Sequence, residues 1–231
     1  EDGVRSGALT VEAAGVSVDV TRQLIDVPAL SMVTDLLDAA GMGDAIHAAA
    51  RGQAVNVTET PGPRPALHTA LRGGNNAPAA IAELVQKGVQ SIESTATAIR
   101  NGTVTSGEVT DIVNLGTGGS WLGPAMCVDA LEGSGPCVHF LPSLDGHAVD
   151  DLLGILDPET TVVIISSKSF TTFETIANAA VLRSWLEESC GDSAMDHMFA
   201  CTANPAAARD FGIADERILE LWEWEGLRLW V

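Results

Sequence analysis

The sequence predicts an α/β protein, in which a doubly wound, three-layer parallel sheet follows an N-terminal helical extension. From residue 111 onward, short apolar runs with almost no polar alternation are each followed by a segment of helix length. Such runs are typical of parallel strands that are covered on both faces. Between residues 31 and 100 the apolar residues recur mostly at three- and four-residue steps, which indicates helices. We therefore assign residues 1–104 to the extension and 105–231 to the sheet domain.

The extension is most clearly helical near its end. Pro78 suits a first helical turn, and Asn101-Gly102 suits the residues just past a last turn. The apolar positions with helical spacing between them are Ile81, Leu84, Val85, Val89, Ile92 and Ile99.

Four strand and helix pairs are predicted after the extension. They are DIVNLG with GPAMCVDAL, CVHFLP with HAVDDLLGIL, TVVIISS with TTFETIANAAVLRSWLEE, and MFACTAN with PAAARDFG. Because all strands of a parallel sheet point the same way, the loops after the first and third strands emerge at the same edge. Open α/β sheets bind their ligands at that edge.

The first of these loops is glycine-rich and reads NLGTGGSWLGPAM over residues 114–126. Gly116, Gly118 and Gly119 allow a close backbone approach to an oxyanion, and Ser120 adds a hydroxyl at the start of a helix. A dinucleotide fingerprint would need glycine where Trp121 stands, and no GK[ST] follows as in a P-loop. The loop therefore binds a bare phosphate, or it is a tight turn in which Ser120 is the helix N-cap.

The second loop, ISSKSFTTFET at residues 165–175, carries five hydroxyls and one ammonium within seven residues. Hydroxyls at a helix N-terminus can donate to phosphoryl oxygens, and a lysine supplies the counter-charge. The side chains are those of Ser166, Ser167, Lys168, Ser169, Thr171 and Thr172. The alternative is helix capping beside a solvated lysine. The chain has only two lysines, Lys87 and Lys168, which favours a phosphate monoester here.

Composition limits the possible partners and compartment. The formal net charge of −19 repels the phosphates of nucleic acids and anionic membrane surfaces, so neither is an expected partner. The four cysteines show no CxxC pair and no metal-ligand spacing, and no stretch has the length and apolarity of a membrane span. We expect a cytoplasmic protein without a bound metal, and the chain ends suggest a portion of a longer protein.

Four stretches together resemble the phosphoglucose isomerase family, specifically its N-terminal half. DIVNLGTGGSWLGPAM resembles the family's glycine-serine loop, and SSKSFTTFETIANA resembles its SK[TS]xTTxET phosphate loop. NVTETPGPRPALHTALR at residues 56–72 and FLPSLDGHAVDDLL at 140–153 resemble two further family motifs. The matches run in order from Asn56 to Arg228, which makes the resemblance far more specific than any one motif.

The resemblance implies a sugar-isomerase (SIS) fold, which is flavodoxin-like, for about residues 105–231. It also implies that the two loops surround the 6-phosphate of glucose 6-phosphate and fructose 6-phosphate, which the family interconverts in glycolysis and gluconeogenesis without metal or organic cofactor. A homodimer of the full-length protein is implied as well. The phosphate-binding residues implied are Gly119, Ser120, Ser167, Lys168, Ser169, Thr171 and Thr172.

The resemblance assigns one catalytic residue to this chain, Arg228, which would stabilise an enediolate intermediate. The sequence departs from the family pattern there, with Glu225 for valine and Leu227 for glycine, so an ordinary surface arginine is the alternative. Trp121, where the family usually has an acidic residue, is a further departure. The family's glutamate base, ring-opening histidine and C-terminal lysine are expected beyond Val231, so these residues alone are expected not to turn over substrate.

Those catalytic roles do not pass to the histidines of this chain. His139 lies in a strand, where a hydrogen-bonded core histidine is expected, His147 is expected in a turn or at a helix N-terminus, and His68 receives no role. Two alternatives to the isomerase remain open. One is a non-catalytic SIS module that senses a phosphosugar, and the other is an isomerase or transferase acting on a different phosphosugar.

Overall fold

Within the described residues, the N-terminal part of the chain contains a β-hairpin and three α-helices of at least nine residues. The computed structural model describes residues 6–55, 62–72, 78–105, 107–131, 133 and 135–224. Strand β1 (Thr10–Ala13) pairs antiparallel with β2 (Val16–Asp19). The two strands are joined through Ala14 and Gly15, whose φ angles of 50° and 77° match a type I′ turn. The sequence did not predict this hairpin.

Three helices follow, α1 (Val27–Ala39), α2 (Met42–Ala50) and α3 (Ala79–Arg100). Asp26 caps α1, because its carboxylate accepts a 2.8 Å hydrogen bond from the backbone N–H of Ala29. Neither α1 nor α2 contains a buried residue, and Met32 and Leu36 are 72% and 66% exposed. This helix pair therefore contributes little to the core among the described residues. Within those residues, no helix combines the length and apolarity needed to cross a membrane.

The rest of the chain builds a five-stranded parallel sheet. Its strands are β3 (Asp111–Leu115), β4 (Cys137–Leu141), β5 (Thr161–Ser166), β6 (Met198–Thr202) and β7 (Ile218–Glu220). They lie in the order β4-β3-β5-β6-β7. The first four strands coincide with the predicted runs, and β7 is an additional edge strand of three residues.

Helices connect these strands. They are α4 (Gly119–Ala130), α5 (Gly146–Leu153), α6 (Phe173–Cys190) and α7 (Pro205–Phe211). Four short 3-10 segments accompany them and the earlier helices, at His68–Arg72, Pro158–Thr160, Gly191–His197 and Asp215–Arg217.

Both faces of the sheet are covered, which explains why the strand sequences show no polar alternation. On one face Val113, Val163 and Ile165 join the larger core cluster, whereas Val162 and Phe199 join a smaller cluster on the other face with Ile99 of α3. Successive strand residues point to opposite faces, so both sets must be apolar to be buried. The predicted three-layer α/β fold is confirmed, and the division at residue 104 stays a prediction.

Helix α6 covers the larger cluster along one stripe. Its buried positions recur at helical spacing, and Leu182 and Leu186 are fully buried. Removing a buried leucine side chain typically costs about 2–5 kcal/mol, so this stripe is a main support of the sheet. The buried residues of the helix are Thr175, Asn178, Ala179, Leu182 and Leu186.

The segment after β7 packs against the N-terminal part of the chain. The backbone N–H of Leu67 donates to the carbonyl of Trp224 at 2.9 Å, and Arg64 pairs with Glu223 at 2.8 Å. The ring of Trp222 lies over α3 at Gly88, where an added Cβ would come within 2.6 Å of it. The chain therefore brings residues 64–67 and 222–224 together beside α3.

Candidate functional site

The two predicted loops begin at neighbouring strand ends. Strand β3 pairs directly with β5, with Leu115 opposite Ile165, so the loops that follow these strands leave the sheet side by side. The chain crosses from β3 outward to β4 and then returns past β3 to β5. The strand order therefore reverses between β3 and β5, which is where open α/β sheets form a ligand crevice.

A single buried side chain joins the two loops. Asn114 is only 6% exposed, and its Nδ2 donates to the carbonyl of Ser120 at 3.1 Å. Its Oδ1 accepts from the hydroxyl of Ser166 at 2.7 Å. This role was not predicted from the sequence, although a polar residue between the apolar Val113 and Leu115 was a visible signal. Asn114 therefore fixes the spacing between the loops.

We expect replacement of Asn114 by leucine to loosen this connection. The change keeps the approximate volume but leaves the Ser120 carbonyl and the Ser166 hydroxyl without this partner, which should lower the free energy of unfolding by about 1–3 kcal/mol. Urea denaturation measures that loss, and titration with inorganic phosphate measures the effect on the loops, where we expect weaker binding.

Thr161→Val is the matched control for this experiment. The Thr161 hydroxyl is also fully buried and donates to the carbonyl of Asp157 at 2.7 Å, but it lies at the opposite end of β5 from the loops. This variant should lose stability without losing phosphate binding. Equal effects of both variants on phosphate binding would mean that Asn114 acts only through general stability.

The glycine loop turns tightly into α4. An added Cβ on Gly116 would lie 2.7 Å from the Ser120 carbonyl oxygen, so only glycine fits there without a shift of the backbone. Gly118 has a φ of 55° and is the N-cap of α4. Gly119 and Ser120 are then the first two helical residues, both half-buried. Ser120 is therefore not the N-cap, which removes one alternative explanation for its position.

The second loop is held by its own hydroxyl groups. Ser167 is 3% exposed, and its Oγ accepts from the backbone N–H of Phe170 at 3.1 Å and lies 3.3 Å from Thr172 Oγ1. The hydroxyl of Thr171 donates to Ser169 Oγ at 2.8 Å. These short-range bonds order the loop immediately before α6, whose N-cap is Thr172.

Phe170 anchors this loop to the core. It has a φ of 54°, in the left-handed region that is rare for an aromatic residue, and it is 5% exposed. Its ring meets Phe211 edge to face at a centroid distance of 6.0 Å. The buried ring therefore offsets the cost of the backbone conformation, and the turn exposes the hydroxyl groups of Ser169 and Thr171.

Lys168 connects the second loop to the segment after β7. Its ammonium donates to the backbone carbonyl of Glu223 at 3.1 Å. Its own carbonyl accepts from the backbone N–H of Ala203 at 2.9 Å and from the Thr202 hydroxyl at 3.1 Å. The backbone of Lys168 is therefore fixed by the loop after β6, while the half-buried side chain reaches across the edge of the sheet.

Thr175 is a second residue whose role was not predicted from the sequence. It is 2% exposed, and its hydroxyl has no hydrogen-bond partner among the described residues. It lies three residues after Thr172, in the first turn of α6. A buried hydroxyl without a partner costs about 1–3 kcal/mol, so its position beside a hydroxyl-rich loop fits a site where a ligand or water would accept from it.

The arrangement is suited to binding an anion. The N-termini of α4 and α6 follow the two loops at the same edge of the sheet, and helix N-termini attract negative charge through their unpaired N–H groups. Hydroxyl donors and one ammonium lie on the second loop. The predicted phosphate-binding residues are thus distributed over two adjacent loops, although binding itself stays a prediction.

The remaining predicted positions have mixed outcomes. His139 lies in β4 and its Nε2 is 2.7 Å from Asp111 Oδ1, so it has the hydrogen-bond partner expected of it. His147 lies in the first turn of α5, as expected, and its backbone N–H donates to the capping Asp145. Arg228, together with the departures at Glu225 and Leu227, lies outside the described residues, as does the NVTET stretch at 56–60.

Comparison with known proteins identifies a family. The sequence model described as Phosphoglucose isomerase matches residues 19–231. A glucose-6-phosphate isomerase of Aromatoleum aromaticum is 38% identical over 98% of this chain and 43% of its own length. That of Agrobacterium fabrum is 40% identical over 77% of this chain and 34% of its own length. The chain thus spans less than half the length of the curated relatives it matches.

Solved structures show the same fold. The crystal structure of a glucose-6-phosphate isomerase from Chlamydia trachomatis superposes with a TM-score of 0.77 at 23% identity, over 96% of this chain and 44% of that chain. A hypothetical protein from Thermus thermophilus superposes with a TM-score of 0.51 over 69% of this chain. The fold that carries the two loops therefore also occurs in a solved glucose-6-phosphate isomerase.

Proposed function

Because the chain belongs to the phosphoglucose isomerase family, we propose that its two loops bind the 6-phosphate in a protein that interconverts glucose 6-phosphate and fructose 6-phosphate. The observation that carries the proposal is the side-by-side placement of the loops at the strand-order reversal, joined through Asn114. A phosphate monoester has three terminal oxygens, and the helix N-termini, hydroxyls and ammonium at this edge supply donors for all of them.

The binding residues proposed are those that the resemblance implies. Gly119 and Ser120 contribute the first helical turn of α4, and Lys168 contributes the positive charge. Ser167, Ser169, Thr171 and Thr172 contribute hydroxyls from the second loop. Thr175 joins them as a candidate donor, because its buried hydroxyl has no other partner among the described residues.

The proposed chemistry is proton transfer between two adjacent carbons of the open-chain sugar through an enediolate. A base removes the proton from one carbon and returns it to the other, and a nearby cation stabilises the negative charge on the intermediate. Arg228 is proposed as that cation. No metal or organic cofactor takes part in the proposed reaction, and the complete protein is proposed to act as a cytoplasmic homodimer in glycolysis and gluconeogenesis.

The present 231 residues are proposed to bind the sugar phosphate without turning it over. The chain spans 43% of a relative that bears the enzyme's name, and the base and ring-opening groups are proposed to lie in the remainder. A non-catalytic phosphosugar sensor would share the binding step, so activity of the complete protein distinguishes the two functions.

Calorimetric titration of the chain tests the binding step. We expect glucose 6-phosphate and fructose 6-phosphate to bind and glucose to show no measurable binding, because the phosphoryl group provides most of the charge-assisted contacts. ATP should bind more weakly than the sugar phosphates, since no adenine site is proposed. Glucose binding as tightly as glucose 6-phosphate would contradict the proposal, and a coupled assay on the same sample would reveal any turnover.

A further inference from the structure

Three side chains with metal-ligating atoms lie near the amino-terminal ends of β3 and β4. The two predicted phosphate loops follow the opposite, carboxyl ends of their strands. Asp111 begins β3 and Cys137 begins β4, and the two are paired across the strands. His139 lies two residues after Cys137, so it projects to the same face of the sheet. One carboxylate oxygen, the thiol sulfur and one imidazole nitrogen all lie within 4.8 Å of one another.

We propose that Asp111, Cys137 and His139 bind a zinc ion. Zinc accepts thiolate, imidazole and carboxylate ligands at about 2.0–2.3 Å, and three protein ligands with water in a fourth position form a common coordination sphere. Ligands of one tetrahedral ion lie about 3.3–3.8 Å apart at those bond lengths. The 2.7 Å contact between His139 and Asp111 would therefore lengthen, and the other separations, which are at most 4.8 Å, would have to fall in that range. This site is separate from the proposed isomerase function.

The existing hydrogen bonds orient the ligands. His139 Nε2 lies 2.7 Å from Asp111 Oδ1, and the ion would lie between these two atoms, with the neutral imidazole carrying its proton on Nδ1. The hydroxyl of Thr110 is 2.8 Å from the other oxygen of Asp111 and 2.8 Å from the Thr160 hydroxyl. Such outer contacts hold a ligating carboxylate in position. The thiol of Cys137 would release its proton to solvent on binding.

The exposure of the cluster also fits an ion that enters from solvent. The side chains of His139 and Asp111 are 20% and 21% exposed, and Cys137 is an exposed free thiol. The alternative is that His139 and Asp111 simply form a hydrogen bond between the two strands. That role does not explain why the Cys137 thiol lies close to both groups. The spacing of residues in the sequence does not reveal the site, because its ligands come from two strands. The first residue of β4, Cys137, lies 26 residues after the first residue of β3, Asp111.

Zinc titration of the reduced, untagged, metal-free chain against a chromophoric chelator tests this proposal. We expect one ion per chain. Cys137→Ser should weaken zinc binding at least about tenfold, because loss of even an outer-shell contact costs that much. Cys127→Ser is the matched control, since Cys127 is also an exposed free thiol but lies on α4, and it should leave zinc binding unchanged.

Alkylation with iodoacetamide provides a second readout on the unmodified chain. Zinc should protect Cys137 and leave Cys127 reactive, as mapped by mass spectrometry of the labelled peptides. Burial raises the pKa of the Cys190 thiol, with a further contribution from the nearby carboxylates of Glu159 and Asp157, so its labelling should be slow in either condition. Equal zinc affinity in Cys137→Ser and the unmodified chain, or no protection of Cys137, would overturn the proposal.

Discussion

Replacing Lys168 by alanine should weaken the binding of glucose 6-phosphate about tenfold to a hundredfold. A hydrogen bond to a charged group contributes about 1.5–3 kcal/mol, which corresponds to that range. Lys168 is one of only two lysines in a chain of net charge −19, so little other lysine charge can replace it. Titration calorimetry measures the loss, and the salt dependence of the remaining affinity should fall because one charge pair is gone.

The other lysine is the matched control. Lys87 lies on α3, where its ammonium pairs with Glu83 at 2.7 Å and both side chains are 67% exposed. Lys87→Ala removes the same charge from the chain and should leave affinity within about twofold, since exposed pairs contribute little. If both variants weaken binding equally, the effect comes from net charge alone and Lys168 is not a phosphate ligand.

Lys168→Ala also removes the hydrogen bond to the Glu223 carbonyl, so a structural effect must be separated from loss of the charge. Lys168→Arg does this. Arginine keeps the charge but presents it as a planar fork at a different reach, so we expect affinity between those of the alanine variant and the unmodified chain. An arginine variant as weak as alanine, with unchanged stability, would show that the position demands the lysine geometry.

Replacing Gly116 by alanine should damage the site through sterics rather than charge. The new Cβ would lie 2.7 Å from the carbonyl oxygen and 2.8 Å from the Cβ of Ser120, and both distances are too short for real contacts. The start of α4 must therefore move away from β3. We expect a loss of about 1–3 kcal/mol in stability from overpacking. Because small displacements of binding groups are costly, phosphate affinity should fall at least about tenfold.

Gly146→Ala is the control for this substitution. Gly146 also begins a helix that follows a strand of the same sheet, but no atom lies within 4 Å of an added Cβ there. This variant should fold and bind like the unmodified chain, as judged by urea denaturation and calorimetry. Normal phosphate binding in Gly116→Ala would mean that the glycine loop is a turn without a role in the site.

The sheet domain was predictable because its strands are buried on both faces. The run TVVIISS has four consecutive apolar residues with no polar alternation, and β5 (Thr161–Ser166) coincides with it. Strand β7 has only three residues, which is too short for a periodic signal. The hairpin of β1 and β2 was missed because its valines are exposed, with Val11 and Val16 at 62% and 61%, so no buried face marks it in the sequence.

The candidate site was predictable only in part, for a similar reason. Glycines, hydroxyls and a lysine identify the two loops, because the backbone freedom of glycine and the donor groups of serine, threonine and lysine follow from the residue type alone. The role of Asn114 depends on the pairing of β3 with β5, since Ser166 is 52 residues away along the chain. The burial of Thr175 depends on how α6, the helix that contains it, packs against the rest of the domain. Both are consequences of packing, which no local pattern contains.

The Asn114 contacts have a consequence for the thermodynamics of binding. Because one amide is hydrogen-bonded to the ends of both loops, we expect ligand binding to incur a smaller entropic penalty than it would at two unconnected loops. A smaller ordering penalty leaves more of the interaction energy of the donors available for affinity. Loops that are held in fixed positions also adapt less to other ligands. We therefore expect lower affinity for anions whose oxygens are spaced differently from those of a phosphate.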